Sequence, residues 1–406
     1  MFLIIDLFYI IAMPFLLLTS AVRNVRGHAP RKNIKGRLGM GGSLPTKDRI
    51  LIHAVSVGEV NAIRDLVSTL SKDGYKLVIS VTTDTGISRA LELFGKSHPV
   101  VRYPLDFSWS VKKFLARIAP TLIVLVELEV WPNMLRAANL NDIPVIVVNG
   151  RLSDRSYKRY KKVYWLLRKT FRQLTIVGMQ NEQYAKKVSS LGATDVRVLG
   201  TMKWDNAIIR DTMTGAKELA ENLGIDMDKP LVVAGSTTPE EHILLKEALP
   251  SNVQLLVAPR RPEWFDDAAA IFSPCNRRTQ TDRVQTRFFV LDTIGELTAA
   301  YSLATIVVIG RSFAPLHGSD PTEPIGFGKP TIIGPNVSDF IDIVNAFLQK
   351  DAIVQCTTDT LKDEIENLLS NKALCITLAK NGRSVIASHQ GATNRYVKLI
   401  EEALVV

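Results

Sequence analysis

Ile50-Leu51-Ile52-His53-Ala54-Val55-Ser56-Val57-Gly58-Glu59 carries three signals in ten residues. A short apolar run is followed by a turn of small residues, and then by a carboxylate in the first turn of a helix. Strand, tight turn and helix start make the first half of a βαβ unit. From residue 49 onward the rhythm repeats: strands are predicted at Ile50–Ala54, Leu77–Val81, Leu122–Val126, Val145–Val148, Thr175–Gly178 and Arg197–Leu199, each followed by a turn signal or an amphipathic stretch. It restarts at Leu231–Ala234, Gln254–Ala258, Phe288–Leu291, Ile306–Ile309 and Thr331–Ile333. The fold class is therefore α/β, with two successive doubly wound units and a ligand cleft expected at the carboxyl ends of both sheets.

The 406 residues suit two domains better than one core. We place the first over 49–205, a polar, helix-like connection over 206–229, and the second over 230–406, starting at the strand that follows Pro230. Apolar residues at 46% and charged residues at 22% are ordinary for a folded protein. The net charge of +10 points to an acidic partner without choosing among nucleic acid, anionic lipid and phosphorylated substrate. Cys275, Cys356 and Cys375 are far apart, which indicates neither a disulfide framework nor a zinc site.

Ahead of the first domain, residues 3–22 are almost wholly apolar, interrupted chiefly by Asp6 and Pro14. They read as an N-terminal membrane anchor over 1–22, either steeply tilted or interfacial. Arg23, Arg26, Arg31, Lys32, Lys35 and Arg37 follow within a basic linker over 23–48. Positive charges after the apolar run, not before it, argue against a cleaved signal and keep the rest of the chain on the cytoplasmic side of the membrane.

Several turns could carry chemistry. Glu59 suits a general base, and equally complements a helix dipole. Thr82-Thr83-Asp84-Thr85-Gly86 can cap a helix or bind sugar hydroxyls, and Glu127-Leu128-Glu129 sets two carboxylates beside Trp131. Arg151 and Arg155 lead into the densest basic stretch, Tyr157 to Arg172, which is either a solvated face or a surface for phosphate or anionic lipid. In the second half, Ala234-Gly235-Ser236-Thr237-Thr238, Pro259-Arg260-Arg261 and Gly310-Arg311-Ser312 directly follow predicted strands, where backbone N–H groups and arginine forks meet anions. No GxxxxGK[ST], GxGxxG or HExxH sequence is present, which counts against P-loop NTPases, dinucleotide oxidoreductases and zinc proteases.

Taken in order, these segments resemble the Kdo (3-deoxy-D-manno-oct-2-ulosonic acid) transferases of lipopolysaccharide assembly, nearly end to end. The resemblance is carried by His53 through Glu59, Gly86, Pro104 with Asp106, Glu127 through Asn133, Asn149 to Ser153 with Arg155-Ser156, and Gln180-Asn181-Glu182. It continues through Gly200-Thr201-Met202-Lys203-Trp204-Asp205, Ser236-Thr237, Pro259-Arg260, Gly295-Glu296-Leu297, Glu323 and Gly334-Pro335. It implies the two-lobed GT-B fold and inverting transfer of Kdo from CMP-Kdo to a lipid A precursor such as lipid IVA, with Glu59 as the base. By the same resemblance Arg260, Lys203, Ser236, Gly310, Ser312 and Glu323 are donor contacts, Glu323 gripping the ribose. Ser56, Glu127, Glu129, Arg151 and Arg155 are acceptor-binding or structural. No metal, cofactor or nucleic acid is expected; the partners are donor, lipid acceptor and an anionic membrane surface. The chain departs from its relatives at Arg261, Trp264, His317-Gly318-Ser319-Asp320 and Arg311, the last replacing a second glycine. The alternatives are a GT-B enzyme using a UDP-sugar, and a catalytically dead membrane-tethered scaffold.

Overall fold

The computed structural model describes Asp6 and residues 34–42, 44, 48–205 and 207–405. The chain divides into two compact units, Met1–Asn206 with Gly391–Val406, and Ala207–Gln390.

The first unit is built on seven strands: β1 Arg49–Ala54, β2 Leu77–Val81, β3 Val100–Arg102, β4 Pro120–Val126, β5 Val145–Gly150, β6 Ile176–Met179 and β7 Val196–Val198. They form one sheet in the order β3-β2-β1-β4-β5-β6-β7, with every pairing parallel. A parallel sheet is covered on both faces, so its central strands carry apolar residues at consecutive positions. Alternate side chains of β1 supply the two cores. Ile50 and Ile52 pack with Leu66, Leu70 and Ile400, whereas Leu51 packs with Phe114, Leu125 and Met134. The strand order reverses between β1 and β4, and the loops leaving those strands diverge there to leave a crevice.

The second unit repeats the plan with β8 Leu231–Thr237, β9 Gln254–Pro259, β10 Asn276–Arg277, β11 Phe288–Val290, β12 Ile306–Ile309, β13 Thr331–Ile333 and β14 Val354–Gln355. The order is β10-β11-β9-β8-β12-β13-β14, again all parallel, with its reversal between β8 and β12.

The domain limits differ from the sequence reading at both ends of the second unit. Residues 391–406 belong to the first unit, not the second. The helix Ala392–Val405 buries Tyr396, Val397 and Ile400 in the core that β1, β4 and β5 share. Gly178 makes room for it: a Cβ there would lie 2.6 Å from Tyr396 Cε1. The Tyr396 hydroxyl donates to Gly200 O at 2.9 Å, and Asp205 accepts from the backbone N–H groups of Gly391 and Thr393 at the helix start. The connection drawn over 206–229 contains the helix Ala216–Leu223, whose Leu219, Ala220 and Leu223 are buried in the second unit.

Apart from Asp6, the anchor drawn over residues 1–22 lies outside the described residues. Among the described residues no helix is long and apolar enough to cross a membrane. Asp6 itself is bonded to the first unit. Its carboxylate accepts from the Ser108 N–H at 3.0 Å, from the Ser108 hydroxyl, and from Asn133 Nδ2 at 2.9 Å. It thereby caps the helix Ser108–Ile118, whose own N-cap residue Phe107 offers no side-chain acceptor.

Candidate functional site

Where β1 ends, Ser56 takes an extended backbone and caps the six-residue helix Val57–Ala62, accepting from the Glu59 N–H at 3.4 Å. Glu59 returns its carboxylate to the turn: Oε2 accepts from the Val55 N–H at 2.8 Å and Oε1 from the Ser56 hydroxyl at 3.0 Å. This resembles a capping box, in which the third helical residue bonds back to the cap. The charge state separates Glu59 from an ordinary cap. Burial is the main cause that pushes its pKa up to about 7, and the nearby Glu127 and Glu129 add to it against the two hydrogen bonds. The residue is only 7% exposed.

The other carboxylates come from the far side of the strand reversal. Glu127, directly after β4, has φ +62°, and Asn149 at the end of β5 has φ +54°. Such conformations cost non-glycine residues energy and cluster where side-chain direction matters. The Glu127 N–H donates to Val148 O at 3.0 Å, and Asn149 Oδ1 accepts from the Met202 N–H at 3.1 Å, which fixes both turns. Burial raises the pKa of Glu127, with Lys203 and then Arg151 opposing; Glu129 is raised by burial and by Glu127. Ser56, Glu59, Glu127, Glu129, Arg151 and Lys203 thus share one electrostatic neighbourhood, and Lys203 belongs to the first unit. Arg155 stands exposed on the helix Asp154–Lys162, which buries none of its residues.

Two other sequence candidates near Glu59 prove to be framework. Thr83 caps the helix Asp84–Phe94 and donates its hydroxyl to Val55 O at 2.8 Å, bracing the loop that carries Glu59. His53 is fully buried, kept neutral by burial, hydrogen-bonded through Nδ1 to Ser80 Oγ at 2.9 Å, and stacked on Tyr103 at 3.7 Å.

In the second unit the matching crevice lies between the ends of β8 and β12. Ser236 has φ +60° and Arg311 φ +59°. Gly310 is pressed against the β8 end: a Cβ there would lie 2.6 Å from Ser236 O and from Thr237 Cα. Ser312 is fully buried and spent on the fold, since its hydroxyl donates to Ile309 O at 2.5 Å and accepts from the Gly334 N–H at 2.8 Å. The backbone N–H of Arg260 donates to Thr237 O at 2.9 Å. Glu323, on the short helix Thr322–Gly326, accepts from the Thr298 hydroxyl at 2.5 Å.

Sequence reasoning missed the residue that organises this crevice. Glu241, 2% exposed, accepts from three backbone N–H groups: Thr238 at 3.0 Å, Arg311 at 2.8 Å and Phe313 at 3.1 Å. It ties the β8 and β12 turns together. The signal was present in Thr238-Pro239-Glu240-Glu241, a capping-box sequence directly after a strand.

A family model described as 3-deoxy-D-manno-octulosonic-acid transferase (kdotransferase) matches residues 32–206. The 3-deoxy-D-manno-octulosonic acid transferase of Haemophilus influenzae is 30% identical to this chain over 97% of it and 97% of its own length. The protein of the same description from Bordetella pertussis is 29% identical over 91% of this chain and 90% of its own. Among solved structures, a glycosyltransferase from Rickettsia africae matches with a TM-score of 0.61 at 12% identity, covering 88% of this chain and 99% of its own; that likeness concerns the fold alone.

Proposed function

The chain belongs to the 3-deoxy-D-manno-octulosonic acid transferase family of glycosyltransferases, and from that premise we propose that it moves Kdo from CMP-Kdo to a lipid A precursor, lipid IVA, with inversion. The observation that carries the mechanism is Glu59, a buried carboxylate with a pKa near 7 at the strand reversal of the first unit. An alcohol is a weak nucleophile at neutral pH, and a base works best when its pKa is near the working pH. Glu59 takes the acceptor hydroxyl proton as that oxygen bonds to the anomeric carbon of Kdo. The bond from that carbon to the phosphate oxygen breaks, and CMP leaves with the electron pair. Glu127 and Glu129 keep Glu59 basic, while Lys203 and Arg151 offset the charge of Glu127. Arg260 meets the donor phosphate, the turns at Ser236, Gly310 and Ser312 shape its seat, and Glu323 holds the ribose.

The test is mass spectrometry of the lipid formed from purified protein, lipid IVA and CMP-Kdo, with UDP-sugars as the comparison. Addition of Kdo from CMP-Kdo alone is expected. Transfer from a UDP-sugar overturns the donor, and donor binding without any product makes the chain a scaffold.

The site of action in this reading is the cytoplasmic face of the inner membrane, with residues 1–22 as the anchor. Support comes from the basic run after that segment, and from the unburied helix Asp154–Lys162 followed by Trp165, which is 78% exposed among lysines and arginines. Full-length protein should sediment with membranes, and deletion of 1–22 should release it. Full-length protein that stays in solution at low salt without detergent overturns the anchor.

A further inference from the structure

The strands β9 and β12 flank β8 on either side, so their ends lie two strand spacings apart, roughly 10 Å. Each delivers an arginine. The backbones of Arg260 and Arg311 are fastened to one frame, Arg260 through its N–H to Thr237 O at 2.9 Å and Arg311 through its N–H to Glu241 Oε2 at 2.8 Å. Arg311 keeps a φ of +59° that glycine would adopt at less cost. Its Nη2 donates to Leu316 O at 2.8 Å, which steadies the fork and leaves most of its N–H groups available.

Among the described residues neither guanidinium has an ion-pair partner, whereas the neighbouring Arg261 faces Glu263 at 3.6 Å. The carboxylates close by are engaged elsewhere. Glu241 holds backbone N–H groups, Asp320 accepts from Thr322, and Glu323 accepts from Thr298. The two guanidinium groups repel, and the Arg311 charge is the largest cause after burial that holds Arg260 below its ordinary pKa. Two unpaired cations held together on a strained frame fit a ligand with two anionic groups close together.

CMP-Kdo has that character, because the anomeric carbon that bears the phosphodiester oxygen also bears the carboxylate. The electrostatic neighbours run in sequence from Glu323 to Tyr301, from Tyr301 to Arg260, and from Arg260 to Arg311. With Glu323 on the ribose, phosphate falls to Arg260 and the ulosonate to Arg311. Resting on the donor reading above, we infer that Arg311 is a donor-specificity residue whose guanidinium binds the carboxylate of the transferred ulosonic acid, while Arg260 binds the phosphate.

The experiment measures KM for CMP-Kdo and the inhibition constant of CMP in the same assay for wild type, Arg311→Gly, Arg311→Asn and Arg311→Lys. Glycine and asparagine both tolerate the backbone angle, so thermal melting should report folded protein for each. Removing one partner of a charge-assisted contact should raise KM for CMP-Kdo roughly ten- to hundred-fold in the glycine and asparagine variants. CMP, which lacks the carboxylate, should inhibit them as it does wild type, and the lysine variant should fall between. An unchanged KM overturns the inference, as does an equal loss for CMP, which would put Arg311 on the phosphate. A wild type inert with CMP-Kdo refutes the donor reading itself.

Discussion

Replacing Glu59 by Gln should slow the enzyme and stabilise the fold at once. Glutamine has the same shape: its Oε1 can accept from the Val55 N–H, and its amide can donate to Ser56 Oγ, in place of the bonds the carboxylate makes. It cannot take a proton, so kcat should fall roughly 10²- to 10⁴-fold. The stability effect follows from the same burial. A carboxyl that titrates near 4.5 in the open and at about 7 in the fold costs the folded state about 3 kcal/mol when fully ionised. The sign is set by the raised value. The neutral form suits the folded state, so the penalty is absent below the unfolded pKa, grows as pH rises from about 4.5, and is complete above about 7. The glutamine variant escapes it, and at roughly 2–4 °C per kcal/mol it should melt several degrees above wild type at pH 8 and level with it at pH 4.5. Wild-type kcat/KM should in turn fall on acidification with a midpoint near 7. The assays are turnover with CMP-Kdo and lipid IVA, and Tm across that pH range. A kcat within tenfold of wild type, or a variant less stable than wild type at pH 8, would refute the reasoning and leave Glu59 an ordinary cap.

Glu323→Ala should raise KM for CMP-Kdo and spare kcat, since a ribose contact is made equally in ground and transition states; unchanged KM with collapsed kcat would contradict that role. Gly310→Ala puts a Cβ 2.6 Å from the backbone of Ser236 and Thr237, so the turns must part; denaturation should show a loss of about 1–3 kcal/mol, and donor KM should rise over tenfold. Tyr396→Ala empties a fully buried site in the first unit and should cost about 3–5 kcal/mol in urea unfolding. Tyr396→Phe keeps the ring and deletes only the hydroxyl, with its bond to Gly200 O at 2.9 Å and its longer contact with Gly178 O at 3.5 Å, at a cost of about 1 kcal/mol; equal costs for the two variants would mean the helix is not held by the ring.

The parallel sheets were legible because central strands are buried on both faces and read as near-continuous apolar runs, as in β4 and, interrupted only by His53 and Ser80 within their apolar stretches, in β1 and β2. Val100–Arg102 and Asn276–Arg277 were not, since three- and two-residue edge strands carry too few positions to show a pattern. An amphipathic helix at the chain end announces an apolar face but not the sheet it covers, which is why Ala392–Val405 was misplaced. At the site, Ser56-Val57-Gly58-Glu59 was readable as a turn that delivers a carboxylate. The conformations of Glu127, Asn149, Ser236 and Arg311 were hidden, because positive φ is ordinarily signalled by glycine and none of these positions has one. The burial that raises Glu59 comes from segments distant in sequence, so no local reading reaches it.

The return of the final helix to the first unit sets an order of events on the ribosome. The first unit is translated through Asn206, yet the side chains that close one of its two cores, Tyr396, Val397 and Ile400, leave the ribosome only after all of Ala207–Gln390 has been made. At roughly 5–20 residues per second that interval lasts on the order of 10–40 seconds. Throughout it the face of the sheet under the absent helix remains an apolar surface in water, a ready client for chaperones. The second unit, continuous in sequence, can finish before the first. A chain released after Gln390 should therefore protect Ala207–Gln390 from protease while the earlier residues are cut.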